Sequence, residues 1–132
     1  MKIAIAIARV LLGITFVFFG SNAFLHFLPS PPASSDPAGL FLASMIASHY
    51  VIVIGGFQVL GGLLLIINRY VPLGLTILGP IVVNILCYHF LMSMFAFFPL
   101  AFVTTLLYLF LLYCCRQYFA SLFLQKAVIA KV

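Results

Sequence analysis

Charge is scarce in this sequence: 5% of its 132 residues are charged, and Asp36 is the single acid. A water-facing surface normally carries charge at several times that density, so a soluble globular domain is excluded and the solvent must be lipid. The same scarcity removes a Ser or Cys hydrolase, because no nucleophile is accompanied by a base and an orienting carboxylate. Cysteines are few as well. Cys87, Cys114 and Cys115 form no CxxC and show no Cys/His ligand spacing, which argues against a disulfide framework and a zinc site. They read as small packing residues within apolar runs. No ligand pattern for haem, flavin or an iron–sulfur cluster is present, so no intrinsic cofactor is expected and electrons would need a partner.

What the sequence does have is apolar: 67% hydrophobic residues and a mean hydropathy of +1.38. A helix needs about 20 apolar residues to cross a bilayer, so four crossings nearly exhaust the chain and leave no room for a soluble catalytic domain. The expected fold is an all-α integral membrane protein, a single domain over 1–132. It is a four-transmembrane-helix bundle with a short interfacial helix between the first and second crossings.

The first crossing is expected over 3–28, ending where Pro29, Pro31 and Pro32 deny the helix its amide donors. This run is too long for a secretory signal core, so the segment is expected to be retained. Asp36 as cap and Pro37 in the first turn open a short helix over 37–47, placed at the membrane surface, with a break near Ser48, His49 and Tyr50. The second crossing, 51–67, is closed by Asn68-Arg69-Tyr70. Pro72 opens the third, 72–91, so these two form an antiparallel hairpin. Pro99 opens the fourth, 99–115, and Pro80 inside the third is expected to kink it. The tail, 116–132, spaces Gln117, Ser121 and Gln125 four apart, as an amphipathic extension along the interface would.

The basic residues Lys2, Arg9, Arg69, Arg116, Lys126 and Lys131 give a formal net charge of +5. They are dispersed between apolar runs rather than clustered on one face, so they read as topology signals and not as a nucleic-acid surface. The positive-inside rule places both termini and the Arg69 turn in the cytoplasm. Arg9, two turns into the first crossing, has no intramembrane acid to pair with. Its head is expected to snorkel to inner-leaflet phosphates or to meet a partner subunit's carboxylate.

Polar side chains at membrane depth should face the bundle interior, a partner or a cavity. Asn22 and His26 share a face of the first crossing, Gln58 lies in the second, and Asn84, Tyr88 and His89 lie late in the third. At ~1.5 Å per residue, Gln58 lies roughly 10 Å in from the outside and Asn84 roughly 18 Å up from the inside. Asn22, His26, Gln58, Asn84 and His89 are therefore expected to converge in the outer half, beside the loop carrying His49. They are the candidates for holding a ligand; interhelical hydrogen bonding and interfacial histidine rings are the alternatives. A metal at His26, His49 and His89 has no carboxylate or thiolate to support it. Gly13 and Gly20, and Gly55 and Gly62, share a two-turn spacing that lets helices approach closely.

Three stretches carry a family resemblance. Phe18-Phe19-Gly20-Ser21-Asn22-Ala23-Phe24 with His26-Phe27-Leu28-Pro29, Gly61-Gly62-Leu63-Leu64-Leu65 through Asn68-Arg69-Tyr70-Val71-Pro72-Leu73, and Pro80-Ile81-Val82-Val83-Asn84-Ile85 with His89 resemble the DoxX family over roughly 8–118. The resemblance implies a four-helix bacterial membrane protein, related by name to a subunit of a thiosulfate:quinone oxidoreductase. Some relatives are linked to redox complexes or oxidative-stress defence. Where many relatives look to carry a glutamate in the second crossing, this chain has Gln58, which cannot shuttle protons as a carboxylate can. The expectation is an accessory or stabilising subunit, not catalytic alone, whose partners are the lipid bilayer and other membrane subunits or further copies of itself. A redox-linked subunit binding a quinone or lipid is the alternative. A small transporter ranks below both, because the inner half offers few polar groups beyond Arg9, Thr76, Thr104 and Thr105.

Overall fold

The computed structural model describes residues 1–29, 34–92 and 98–123. Regular structure among them is helical throughout: α1 (Lys2–Leu25), α2 (Pro37–Ala47), α3 (Tyr50–Ile66), α4 (Val71–Cys87), α5 (Phe98–Cys114) and the short α6 (Arg116–Phe119). A π-helical turn (Tyr88–Met92) extends α4, and a 3-10 turn (Ala120–Phe123) extends α6. Helices Lys2–Leu25 and Val71–Met92 are each long and apolar enough to cross a membrane. The count rises to four if α2 with α3, bent by 87°, and α5 with α6, bent by 74°, each make one span. Ser30, Pro31 and Pro32 of the proline-rich loop lie outside the described residues, as do the connection 93–97 and Gln125, Lys126 and Lys131 of the tail.

Local chemistry sets the boundaries. Asp36 Oδ1 accepts the Gly39 amide at 3.1 Å, with Pro37 in the first turn, so α2 starts where a cap and a proline coincide. The Ser34 hydroxyl, and then the Gly39 amide, hold the Asp36 carboxyl below its ordinary range. At the other end of the hairpin Asn68 adopts the left-handed conformation (φ 57°). There the Arg69 amide bonds Leu64 O (3.2 Å) and the Asn68 amide bonds Leu65 O (3.3 Å), the Schellman pattern of a helix stop. Pro72 then sits in the first turn of α4, which continues through Pro80.

The long helices pack in a ring in which α1 meets α3, α3 meets α4, α4 meets α5, and α5 closes back on α1. Leu12, Phe16, Leu65, Leu75, Leu78 and Leu111 are its fully buried centre. The tightest seam is α1 against α3. A Cβ at Gly13 would lie 2.8 Å from Gly62 O and one at Gly62 would lie 2.7 Å from Gly13 O; Gly20 and Gly55 oppose each other likewise, at 2.8 and 2.7 Å. The two-turn spacing thus forms two reciprocal glycine pairs along an antiparallel contact, where any side chain would strike backbone. Within the Gly61-Gly62 doublet the neighbours divide: Gly62 admits α1, while a Cβ at Gly61 would meet Leu78 of α4 at 2.6 Å.

The antiparallel order brings Lys2, Arg9, Arg69 and Arg116 to one end. The opposite end carries His26, His49 and the π turn, with α2 packed across α3 and that turn. Large apolar side chains cover the outside, among them Ile3, Ile7, Leu11 and Ile14 on α1 and Val103, Leu106 and Leu109 on α5.

Candidate functional site

At the basic end Arg9 is directed inward. Its Nη1 donates to Leu65 O and to Ile66 O (3.0 Å) at the C-terminus of α3. Those carbonyls are among the last four of a helix, which lack partners within the helix and carry its negative dipole end. With Ile67 N–H on Leu63 O (2.9 Å) and the Schellman bonds, each carbonyl from Leu63 to Ile66 has a donor. The acid absent from the sequence is therefore not required: a helix terminus serves as the counter-charge. Arg69 is exposed, and Arg116 stacks its guanidinium 4.4 Å from the Tyr113 ring centroid.

The five candidates lie toward the other end. Asn22 finishes α1: its backbone carbonyl accepts the His26 amide (3.0 Å) and its Oδ1 accepts the Leu28 amide (2.8 Å). His26 (φ 51°) and His49 (φ 58°) both occupy the left-handed region, at the end of α1 and the start of α3, and both are exposed. Histidine tolerates that region better than most residues, so both have a backbone task apart from ring chemistry. Gln58 is half-buried on the α1 seam, where its Cβ would limit a Cβ on Gly20 to 2.8 Å. Asn84 is exposed on the outside of α4, while the buried stripe of that helix runs through Leu75, Leu78, Ile81 and Val82. No hydrogen bond joins any two of the five among the described residues, and they differ in burial: Asn22, Gln58 and His89 are half-buried, His26 and Asn84 exposed.

His89 is the best placed of them for chemistry. It lies in the π turn, half-buried, with Nδ1 2.8 Å from Ile85 O and its ring 5.3 Å from Tyr88. A carbonyl only accepts, so Nδ1 carries the proton and Nε2 of the neutral ring is the acceptor. Phe41 of α2 meets the Tyr88 ring at 6.1 Å, so α2 is anchored on the same turn. Single π turns recur at functional positions because the extra residue re-aims side chains. Among the described residues no three of His, Cys, Asp or Glu gather as a metal site.

Two features had no forewarning in the sequence. Tyr108 on α5 donates its hydroxyl to Leu75 O of α4 (3.0 Å), while lying 2.7 Å from where a Cβ on Gly79 would sit. An open groove of about 490 Å3 is lined by Ile14, Val17, Phe18, Ser21 and Phe27, beside the Asn22 turn. Apolar lining residues are indistinguishable in sequence from lipid-facing ones. No family model, curated protein or solved structure matches the chain.

Proposed function

We propose that the chain is a DoxX-like, four-span bacterial inner-membrane protein with both termini cytoplasmic, acting as an accessory or stabilising subunit of a larger membrane complex. The observation that carries this reading is the surface. Its long helices are covered by large apolar side chains, and within that cover the Asn84 amide is exposed. Surface of that kind is suited to lipid and to neighbouring helices, while Lys2, Arg9, Arg69 and Arg116 at one end fit the positive-inside rule. Gentle solubilisation followed by affinity purification of the full chain tests it. Stoichiometric co-purifying subunits are the expected result, and a chain recovered alone under every mild condition would refute it.

A second reading, a redox-linked quinone- or lipid-binding subunit, is favoured by the groove between Ile14 and Phe27 and by His89, whose Nδ1 is held by Ile85 O while its Nε2 has no partner among the described residues. An amphiphile could lay its tail in that groove with its head at the membrane edge. Purified protein carrying no quinone or lipid in stoichiometric amount, with quinone-linked activity unchanged in Asn84→Ala and His89→Ala, would eliminate it.

A further inference from the structure

Polar groups in the long helices mostly have partners. Thr15, Thr76, Thr104 and Thr105 each donate to the carbonyl one turn back, His89 bonds Ile85 O, and Asn22 accepts Leu28 N–H. Of the three amide side chains in α1, α3 and α4, neither Gln58 nor Asn84 makes a side-chain hydrogen bond among the described residues; Gln58 is half-buried against α1, and Asn84 alone is exposed. It stands roughly 20 Å along α4 from Val71 and roughly 12 Å from Met92 at the other end of the Val71–Met92 span. Its surroundings on that face are Pro80, Val83, Cys87 and Leu91, all exposed and none charged. An amide facing hydrocarbon with nothing to bond is strongly unfavourable, and a neighbouring helix is the usual source of a partner.

We infer that this face of α4 docks against the same face of a second copy of the chain, with Asn84 bonded to Asn84 across a two-fold axis. This rests on the proposed reading of α4 as a membrane span. A carboxamide is donor and acceptor at once, so two copies exchange two N–H···O bonds and satisfy each other. The face offers no charge for an acidic or basic partner to answer. An axis along the membrane normal keeps both basic ends on one side, roughly 20 Å along α4 from the amides. The helix already has α3 and α5 on its other flank, so the Asn84 face is the one left for a neighbour.

Cys87, one turn beyond Asn84 on the same face and exposed, supplies the test. The full chain carrying Cys114→Ser and Cys115→Ser is oxidised in native membranes with copper phenanthroline, which takes two electrons and two protons from a pair of thiols to form one disulfide. A product of twice the chain mass is expected, reduced at least fivefold by Asn84→Leu and retained by Asn84→Gln. Undiminished crosslinking in Asn84→Leu, no dimer, or a product containing a chain of different mass would overturn the inference. Single-molecule photobleaching of the labelled chain in bilayers gives an independent reading: two steps in the wild type are expected, and one step overturns it. Alkaline carbonate extraction separates the levels. A carbonate-resistant monomer overturns the dimer alone, whereas a chain stripped by carbonate overturns the span and the dimer together.

Discussion

The α1–α3 seam and the outer face of α4 are made of similarly apolar residues, and they behave oppositely. Along the seam, Gly13 against Gly62 and Gly20 against Gly55 bring two backbones so close that no Cβ fits. On the α4 face Val83 and Leu91 stand 60% and 78% exposed beside the Asn84 amide, which has no hydrogen bond among the described residues. Lipid tails are as apolar as leucine, so hydrophobicity cannot tell a buried face from an exposed one in a membrane. Close approach and polar satisfaction decide instead. The seam is complete within one chain, and the α4 face is not.

The largest expected effect comes from filling the seam. Gly55→Ala places a methyl 2.5 Å from Ala23 Cβ and 2.7 Å from Gly20 O, whereas the neighbouring Gly56→Ala meets nothing nearer than Phe24 Cζ at 3.9 Å. Overpacking of this kind costs ~1–3 kcal/mol, while an unhindered helical Gly→Ala gains up to ~1 kcal/mol. Unfolding in mixed micelles should therefore separate the two variants by sign. Equal stability of both would remove the seam from the account.

Arg9→Leu is next. It takes away the donor on Ile66 O and one of two on Leu65 O, at a cost of ~1–3 kcal/mol for an unsatisfied buried carbonyl. Arg9→Lys should recover part of the loss in the same assay; no recovery would mean that the charge at the α3 terminus is unimportant. Smaller again is Tyr108→Phe, which breaks the bond to Leu75 O, where interhelical hydrogen bonds in membranes average ~0.6 kcal/mol. Gly79→Ala should be better tolerated in the Tyr108→Phe background than alone, because its methyl competes with the hydroxyl for one space.

The least effect lies outside the seam, at the start of α2. Asp36→Ala should speed amide exchange around Gly39, leaving the rest of the chain unchanged. Because the folded Asp36 carboxyl is held below its ordinary value of 3.8, its contribution is present above that pH and is lost as pH falls through the lowered value. The protection of the Gly39 amide, its exchange rate relative to the intrinsic rate at the same pH, should therefore fall only under acid conditions in the wild type, and in Asp36→Asn should not change with pH.

Much of the fold was legible in the sequence because its punctuation is local. Asp36-Pro37, Asn68-Arg69 and Pro72 stand within a residue or two of the helix ends they dictate, and the glycine spacings marked faces suited to close approach, though not which face meets which. The partner of Arg9 was not legible, since a helix terminus has no side-chain signature. Nor was the rotation of α4. The rise per residue gives the depth of Asn84, but in a helix apolar all round the choice between its faces belongs to neighbours the sequence does not mark. Depth along the helices suggested that Asn22, His26, Gln58, Asn84 and His89 gather toward one half of the bundle, but depth fixes neither the face each side chain takes nor whether any two of them meet.

The central claim is an oriented bundle, basic at the cytoplasmic end, and single-cysteine labelling in intact cells tests it most directly. With Cys87, Cys114 and Cys115 replaced by alanine, a membrane-impermeant maleimide should label Ser35→Cys from outside, and should reach Arg69→Cys and Gln117→Cys only after the cells are opened. Labelling of Arg69→Cys and Ser35→Cys from the same side would contradict the account.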